Sequence, residues 1–94
     1  MIYMPIVAFD LDGTLIYLAG EFADTPRYDV VDMFHMFESI DCEMVIWSGG
    51  GNDYARRWAQ KLGLTATIVR KGQIPVDIAV DDEHVTLGKV NLKV

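Results

Sequence analysis

Asp10 and Asp12 stand one residue apart, at the end of the apolar run Ile6-Val7-Ala8-Phe9 and directly before Gly13-Thr14-Leu15. Residues two apart in a strand share a face, so both carboxylates are expected to project together past the carboxyl end of this run, where open parallel sheets take their ligands. Such a pair suits a hard cation and a nucleophile. A single Asp-Gly is commonly a solvated turn, but that reading leaves the clustering of Asp, Asp, Gly and Thr unexplained.

Two further segments repeat the pattern of an apolar strand ending in a chemically useful group. Met44-Val45-Ile46-Trp47 runs into Ser48, and Gly49, Gly50 and Gly51 then free the backbone to approach an anion closely. Asn52 is placed to cap the helix that follows, whose amino end adds positive potential. Val76-Asp77-Ile78-Ala79-Val80 ends in Asp81-Asp82-Glu83, three adjacent acids that repel one another unless a cation is near. For Glu83 a solvated loop position is the better reading.

The segment Asp10-Leu11-Asp12-Gly13-Thr14-Leu15 resembles motif I of the haloacid dehalogenase-like (HAD) superfamily, and the other segments resemble its remaining motifs in the same order, from Ile6 to Glu83. The resemblance implies a magnesium-dependent phosphatase that works through an aspartyl-phosphate. It implies Asp10 as nucleophile and metal ligand, and Asp12 as general acid and base whose backbone carbonyl also reaches the metal. Ser48 and the Gly49 N–H would bind phosphoryl oxygens. In the Asp-Asp form of motif IV the second carboxylate usually reaches magnesium, which implies Asp82 as ligand and Asp81 one step behind it.

The family also uses one lysine against the charge of the nucleophile and the phosphoryl group, and Lys61 and Lys71 compete for this part. Ala55, Trp58, Ala59 and Leu62 form a helical apolar stripe that turns Lys61 to solvent. Lys71 is preferred, in the stretch Arg70-Lys71-Gly72-Gln73-Ile74-Pro75; its interval to Asp81-Asp82 resembles that of HAD nucleotidases acting on deoxyribonucleotides.

The elements that must position these groups alternate. A strand is expected over 5–10 and a helix from Asp24-Thr25-Pro26, with the stripe Val30, Met33, Phe34, Phe37 and Ile40. The second strand, the helix Asp53 to Leu62, a short strand near Thr67 to Val69 and the strand into Asp81 follow. The expected fold is α/β, a Rossmann-like three-layer sandwich with a small, mainly parallel sheet and right-handed crossovers. The resemblance supplies the order 3-2-1-4. Residues 1–94 are read as one HAD-like domain without a cap, because residues 15–25 suffice only for a flap hairpin turning at Gly20. On that flap Tyr17 and Phe22 either touch a leaving group or serve the hydrophobic packing of the hairpin.

Composition bounds the rest. A formal charge of −6 argues against general affinity for nucleic acid, although residues 54–76 carry Arg56, Arg57, Lys61, Arg70 and Lys71 and no acid. Together with the open site of a capless relative, this points to a nucleotide, a nucleic-acid end or another large phosphorylated substrate, a phosphoprotein included. An ordinary solvated helix face accounts equally well for Arg56 and Arg57. No apolar run is long enough to span a membrane, and the expected location is cytoplasmic. Cys42 reads as a structural thiol, and His35 and His84 lack a metal-ligand pattern. The alternation in Lys89-Val90-Asn91-Leu92-Lys93-Val94 suggests a half-buried strand that either covers the sheet edge or mediates a homo-oligomer. The reading from another functional class is a noncatalytic HAD-derived module that binds metal or a phosphorylated partner.

Overall fold

In the computed structural model, which describes residues 3–94, β1 (Ile6–Phe9), β2 (Glu43–Ile46), β3 (Thr67–Ile68), β4 (Val76–Asp81) and β5 (Gly88–Lys93) form one sheet of order β3-β2-β1-β4-β5. Every pairing is parallel. The helices are α1 (Tyr28–Ser39), between β1 and β2, and α2 (Asn52–Leu62), between β2 and β3. The expected order 3-2-1-4 holds, and the last strand takes the edge beside β4, with Leu92 and Val94 packed against the core.

Chain direction decides which face each connection covers. From β1 to β2 to β3 the chain steps one way across the sheet; from β3 to β4 and on to β5 it steps back the other way. Right-handed crossovers then require the first two connections on one face and the last two on the opposite face. The packing agrees. Val30, Val31 and Phe34 of α1 and Ala55 and Ala59 of α2 share one cluster with Val7, Phe9, Met44, Ile46 and Val80. The opposite cluster, Ala8, Val45, Trp47, Val76 and Ala79, is covered by Val69, Ile74, Val85 and Leu87.

The expected three-layer sandwich is therefore corrected to two layers, a sheet and two helices, with the second face covered by chain without helix. Segments 69–75 and 82–87 are too short to hold a helix and its turns, shorter than the usual parallel crossover of a dozen or more residues. The first helix also starts later than expected. Pro26 bridges to Ile16 and the Arg27 N–H donates to the Leu15 carbonyl, which holds this stretch extended until Tyr28. At the other end Ile40 is 62% exposed, outside the stripe, while Phe9 packs edge-on against Phe37 and 5.3 Å from Phe34 between ring centroids.

Phe34→Ala should lower the unfolding free energy by ~3–5 kcal/mol, the usual cost of emptying a large aromatic site. Ile40→Ser should change it by less than ~0.5 kcal/mol. Urea denaturation of the two variants checks whether the core follows the buried part of the stripe.

Candidate functional site

The sheet aligns three strand ends. The Asp10 N–H donates to the Val80 carbonyl at 3.0 Å and the Trp47 N–H to the Phe9 carbonyl at 3.1 Å, so the ladder carries Asp10 between its neighbours β2 and β4. Ala8 and Ala79 face the helix-free side, and alternation directs Asp10 and Asp81 to that same side. Segment 69–75 crosses it. This path brings Lys71 to both acids, with Nζ 3.1 Å from Asp10 Oδ1 and 2.7 Å from Asp81 Oδ2, the latter an ion pair rather than an aligned hydrogen bond. Asp10 is 6% exposed and Asp81 1%.

A second set of contacts ties the turn after β1 to the end of β4. Thr14 Oγ1 accepts the Asp82 N–H at 3.0 Å and lies 3.2 Å from both Asp10 Oδ2 and Asp82 Oδ1, to which it can donate one proton at a time. Gly13 is required at its place on two counts. Its φ is +80°, and a Cβ there would lie 2.3 Å from Asp82 Oδ2. Arg27 Nη1 donates to the Gly13 carbonyl at 2.9 Å and holds the turn from outside.

Asp12 has a different partner, the hydroxyl of Tyr54 on α2, which donates to its Oδ1 at 2.6 Å. The Ser48 Oγ accepts the Gly50 N–H at 3.0 Å, which leaves its own proton free for an incoming oxygen. Asp10, Asp12, Ser48, Gly49, Lys71, Asp81 and Asp82 all line one cavity of about 260 Å³, with Leu18, Gly50 and Glu83. Every residue expected at the site thus lies on one wall or another of it.

One carboxylate oxygen from each of Asp10, Asp81 and Asp82 falls within 4.8 Å of the others. All-oxygen donors of this kind suit a hard divalent cation such as magnesium. Charge argues the same way, since five carboxyl groups line the cavity against the single ammonium of Lys71. A phosphate dianion would meet net repulsion there without further positive charge. Asp81 Oδ1 accepts the Glu83 N–H at 2.9 Å and its Oδ2 faces Lys71, so both its oxygens are engaged.

Burial first, and the Asp81 carboxylate second, raise the Asp10 pKa, Lys71 works against both, and the net result is about 6. For Lys71 burial favours the neutral amine, but Asp81 and Asp10 outweigh it and the net shift is upward. The hydrogen bond to Asp12 pushes the Tyr54 phenol up to about 12.

One expectation changes, and two open alternatives are decided. Gly51, not Asn52, is the N-cap of α2, and Asn52 is the first helical residue. The flap pairs Tyr17 with Thr25 and Asp24 through backbone hydrogen bonds, but Tyr17 and Phe22 pack against each other and line a separate groove with Thr25, Pro26, Tyr28 and Asp29. Only Leu18 of the flap reaches the acidic cavity. The basic stretch divides as well: Arg56 pairs with Asp53 in solvent, Lys61 lies over the Trp58 ring at 4.7 Å, and only Lys71 enters the cavity. Cys42 is half-buried and free, and His35 is exposed beside Glu38.

Arg27 and Tyr54 escaped the sequence reading, because neither lies in a motif and Tyr54, four residues before Trp58, reads only as one more residue packed against the core. Thr14 stood inside the motif, four residues after Asp10, without a role of its own. Comparison with family models, with curated proteins and with solved structures gives no match for this chain.

Asp10→Asn should stabilise the metal-free protein at neutral pH. The raised pKa means that the folded state holds the Asp10 proton between pH ~4 and ~6 while the unfolded chain releases it, so wild type loses stability as pH rises through that window. Above it the deficit levels off at no more than about 3 kcal/mol, at ~1.4 kcal/mol per unit of pKa. Thermal melts of both proteins in chelator, from pH 3.5 to 8, should show the variant's advantage grow and then plateau; an advantage constant across this range would contradict the assignment.

Proposed function

We propose that this chain is a magnesium-dependent phosphomonoester hydrolase of the HAD type, working through a phosphoryl group carried on Asp10. The observation that carries the reading is the convergence of Asp10, Asp81, Asp82, Lys71 and Ser48 on one cavity at the carboxyl edge of a parallel sheet. Residues as far apart in sequence as Asp10 and Lys71 meet there at 3.1 Å.

In this scheme an Asp10 carboxylate oxygen attacks phosphorus in line with the ester oxygen, the phosphorus–oxygen bond to the leaving group breaks, and Asp12 gives its proton to that oxygen. Asp12 then takes a proton from water as the water oxygen attacks the same phosphorus. The bond to Asp10 breaks, inorganic phosphate leaves and both carboxyl groups return to their starting states. Lys71 holds its ammonium against Asp10 and the transferring group throughout, and Ser48 donates to a phosphoryl oxygen. Magnesium, held by Asp10 and Asp82 with the Asp12 carbonyl, would offset the negative charge that phosphate brings into an acidic cavity.

The cavity of about 260 Å³ is open to solvent, and Leu18 is the one flap residue that borders it. A leaving group therefore extends into solvent, which favours a nucleotide, a nucleic-acid end or another large phosphorylated substrate over a small enclosed metabolite.

Hydrolysis of nitrophenyl phosphate should require magnesium and cease in chelator. Asp10→Asn should abolish it in a protein that still folds. Lys71→Met should lower turnover by ~10²- to 10³-fold, as loss of one preorganised donor does, while Lys61→Met should leave it near wild type. Undiminished turnover by folded Asp10→Asn, or greater sensitivity at Lys61 than at Lys71, would overturn the scheme.

A further inference from the structure

We infer that Tyr54 is the positioning residue of Asp12: its hydroxyl fixes one carboxyl oxygen so that the other is presented to the leaving-group oxygen. The inference rests on the phosphatase reading above and assigns to that site a residue outside its motifs. Asp12 follows β1 in a turn whose backbone is fixed by donation from Thr14, Leu15 and Ile16 to the Leu11 carbonyl, but that pattern leaves the Asp12 side chain free to rotate. Among the described residues, Tyr54 is the side chain that hydrogen-bonds it. The 2.6 Å separation lies in the range of strong O–H···O⁻ contacts.

The ring that carries this hydroxyl is itself held in place. A Cβ added at Gly50 would lie 2.9 Å from Tyr54 Cδ2, so the ring packs directly on the glycine loop that follows Ser48. Gly50 shows no left-handed backbone angle, and the close ring is what leaves no room for a side chain there. Tyr54 thereby links the loop expected to bind the phosphoryl group to the carboxyl group expected to protonate the ester oxygen. Two groups that must act on one phosphate share a single rigid spacer.

A phenol suits this task better than a charged donor. Its O–H donates to Asp12 Oδ1 whether or not the other oxygen carries a proton, so orientation persists through both halves of the reaction. A lysine or arginine in its place would hold Asp12 as the carboxylate and oppose its work as an acid. Tyr54→Phe removes the hydroxyl and keeps the ring on Gly50.

The test compares wild type and Tyr54→Phe on an alkyl phosphate, whose leaving oxygen needs a proton, and on nitrophenyl phosphate, whose leaving group does not. Orientation lost at a general acid should lower kcat on the alkyl ester by about 10- to 100-fold, a part of what acid–base catalysis supplies, with KM within about twofold. The pre-steady-state burst of nitrophenolate should keep its wild-type rate. In an Asp12→Asn background the same substitution should add less than about twofold, since both changes act through one contact. If Tyr54→Phe fails to fold, Tyr54→Leu also removes the hydroxyl, and because it withdraws the ring from Gly50 it is read only on the ratio of the alkyl-ester loss to the nitrophenolate burst loss. Equal losses in kcat on the alkyl ester and in the nitrophenolate burst rate, no loss on the alkyl ester, or full additivity with Asp12→Asn would overturn the role of Tyr54 and leave the phosphatase reading intact. A wild type inert toward both esters with magnesium present would overturn both.

Discussion

The structure turns on the confinement of carboxylates at the end of its central strands. Asp10 and Asp81 are held almost entirely out of water, with Asp82 beside them, and a single ammonium, Lys71, stands between the two buried ones. Burial disfavours the charged carboxyl and the neighbouring Asp81 carboxylate adds repulsion, and the upward shift of Asp10 expresses both costs, burial the larger. A fold built only for stability would place apolar side chains there. The strain is sustained by the surrounding sheet, by Thr14 bridging the two acidic segments and by Arg27 clamping the turn at Gly13.

The cluster depends on the hand of the chain. Both helices lie on one face because the first two crossovers run the same way across the sheet, and the return connections are forced onto the other. That second face has no helix, so the short segment 69–75 lies close over Ala8 and Ala79 and its lysine reaches the strand ends. A helix in its place would carry the chain about 10 Å from the sheet, the usual spacing of packed layers, and set Lys71 well back from the acids. The absence of a third helical layer and the presence of the Lys71 ion pairs are consequences of one connection.

Openness is the other consequence of a small molecule. A sheet with one helical layer and a short flap leaves the cavity open, and under the proposed phosphatase reading such a site would recognise the phosphoryl group itself more than what bears it. Selectivity for a leaving group would then come from contacts outside the cavity. The groove of Tyr17, Phe22 and Tyr28 is apolar and shares no lining residue with the acidic cavity, so it forms no wall of that site.

Much of this was legible in the chain. Short, largely continuous apolar runs ending in Asp10, Ser48 and Asp81, each with glycine or acid within two residues, define where strands stop and which groups stand at their ends, because strand alternation and turn chemistry are local. The same local physics turned Lys61 outward on its helix, over the Trp58 ring. The late start of α1 was not legible, since Pro26 looks like a first-turn residue until its bridge to Ile16 is known. Nor were the Tyr54–Asp12 hydrogen bond, the double contact of Thr14 or the single helical layer. Each of these depends on how far the chain travels between elements and on which face it returns. Sequence periodicity determines which way a side chain points from its own element; only the assembled sheet decides which side chains from distant elements come within 3 Å of one another.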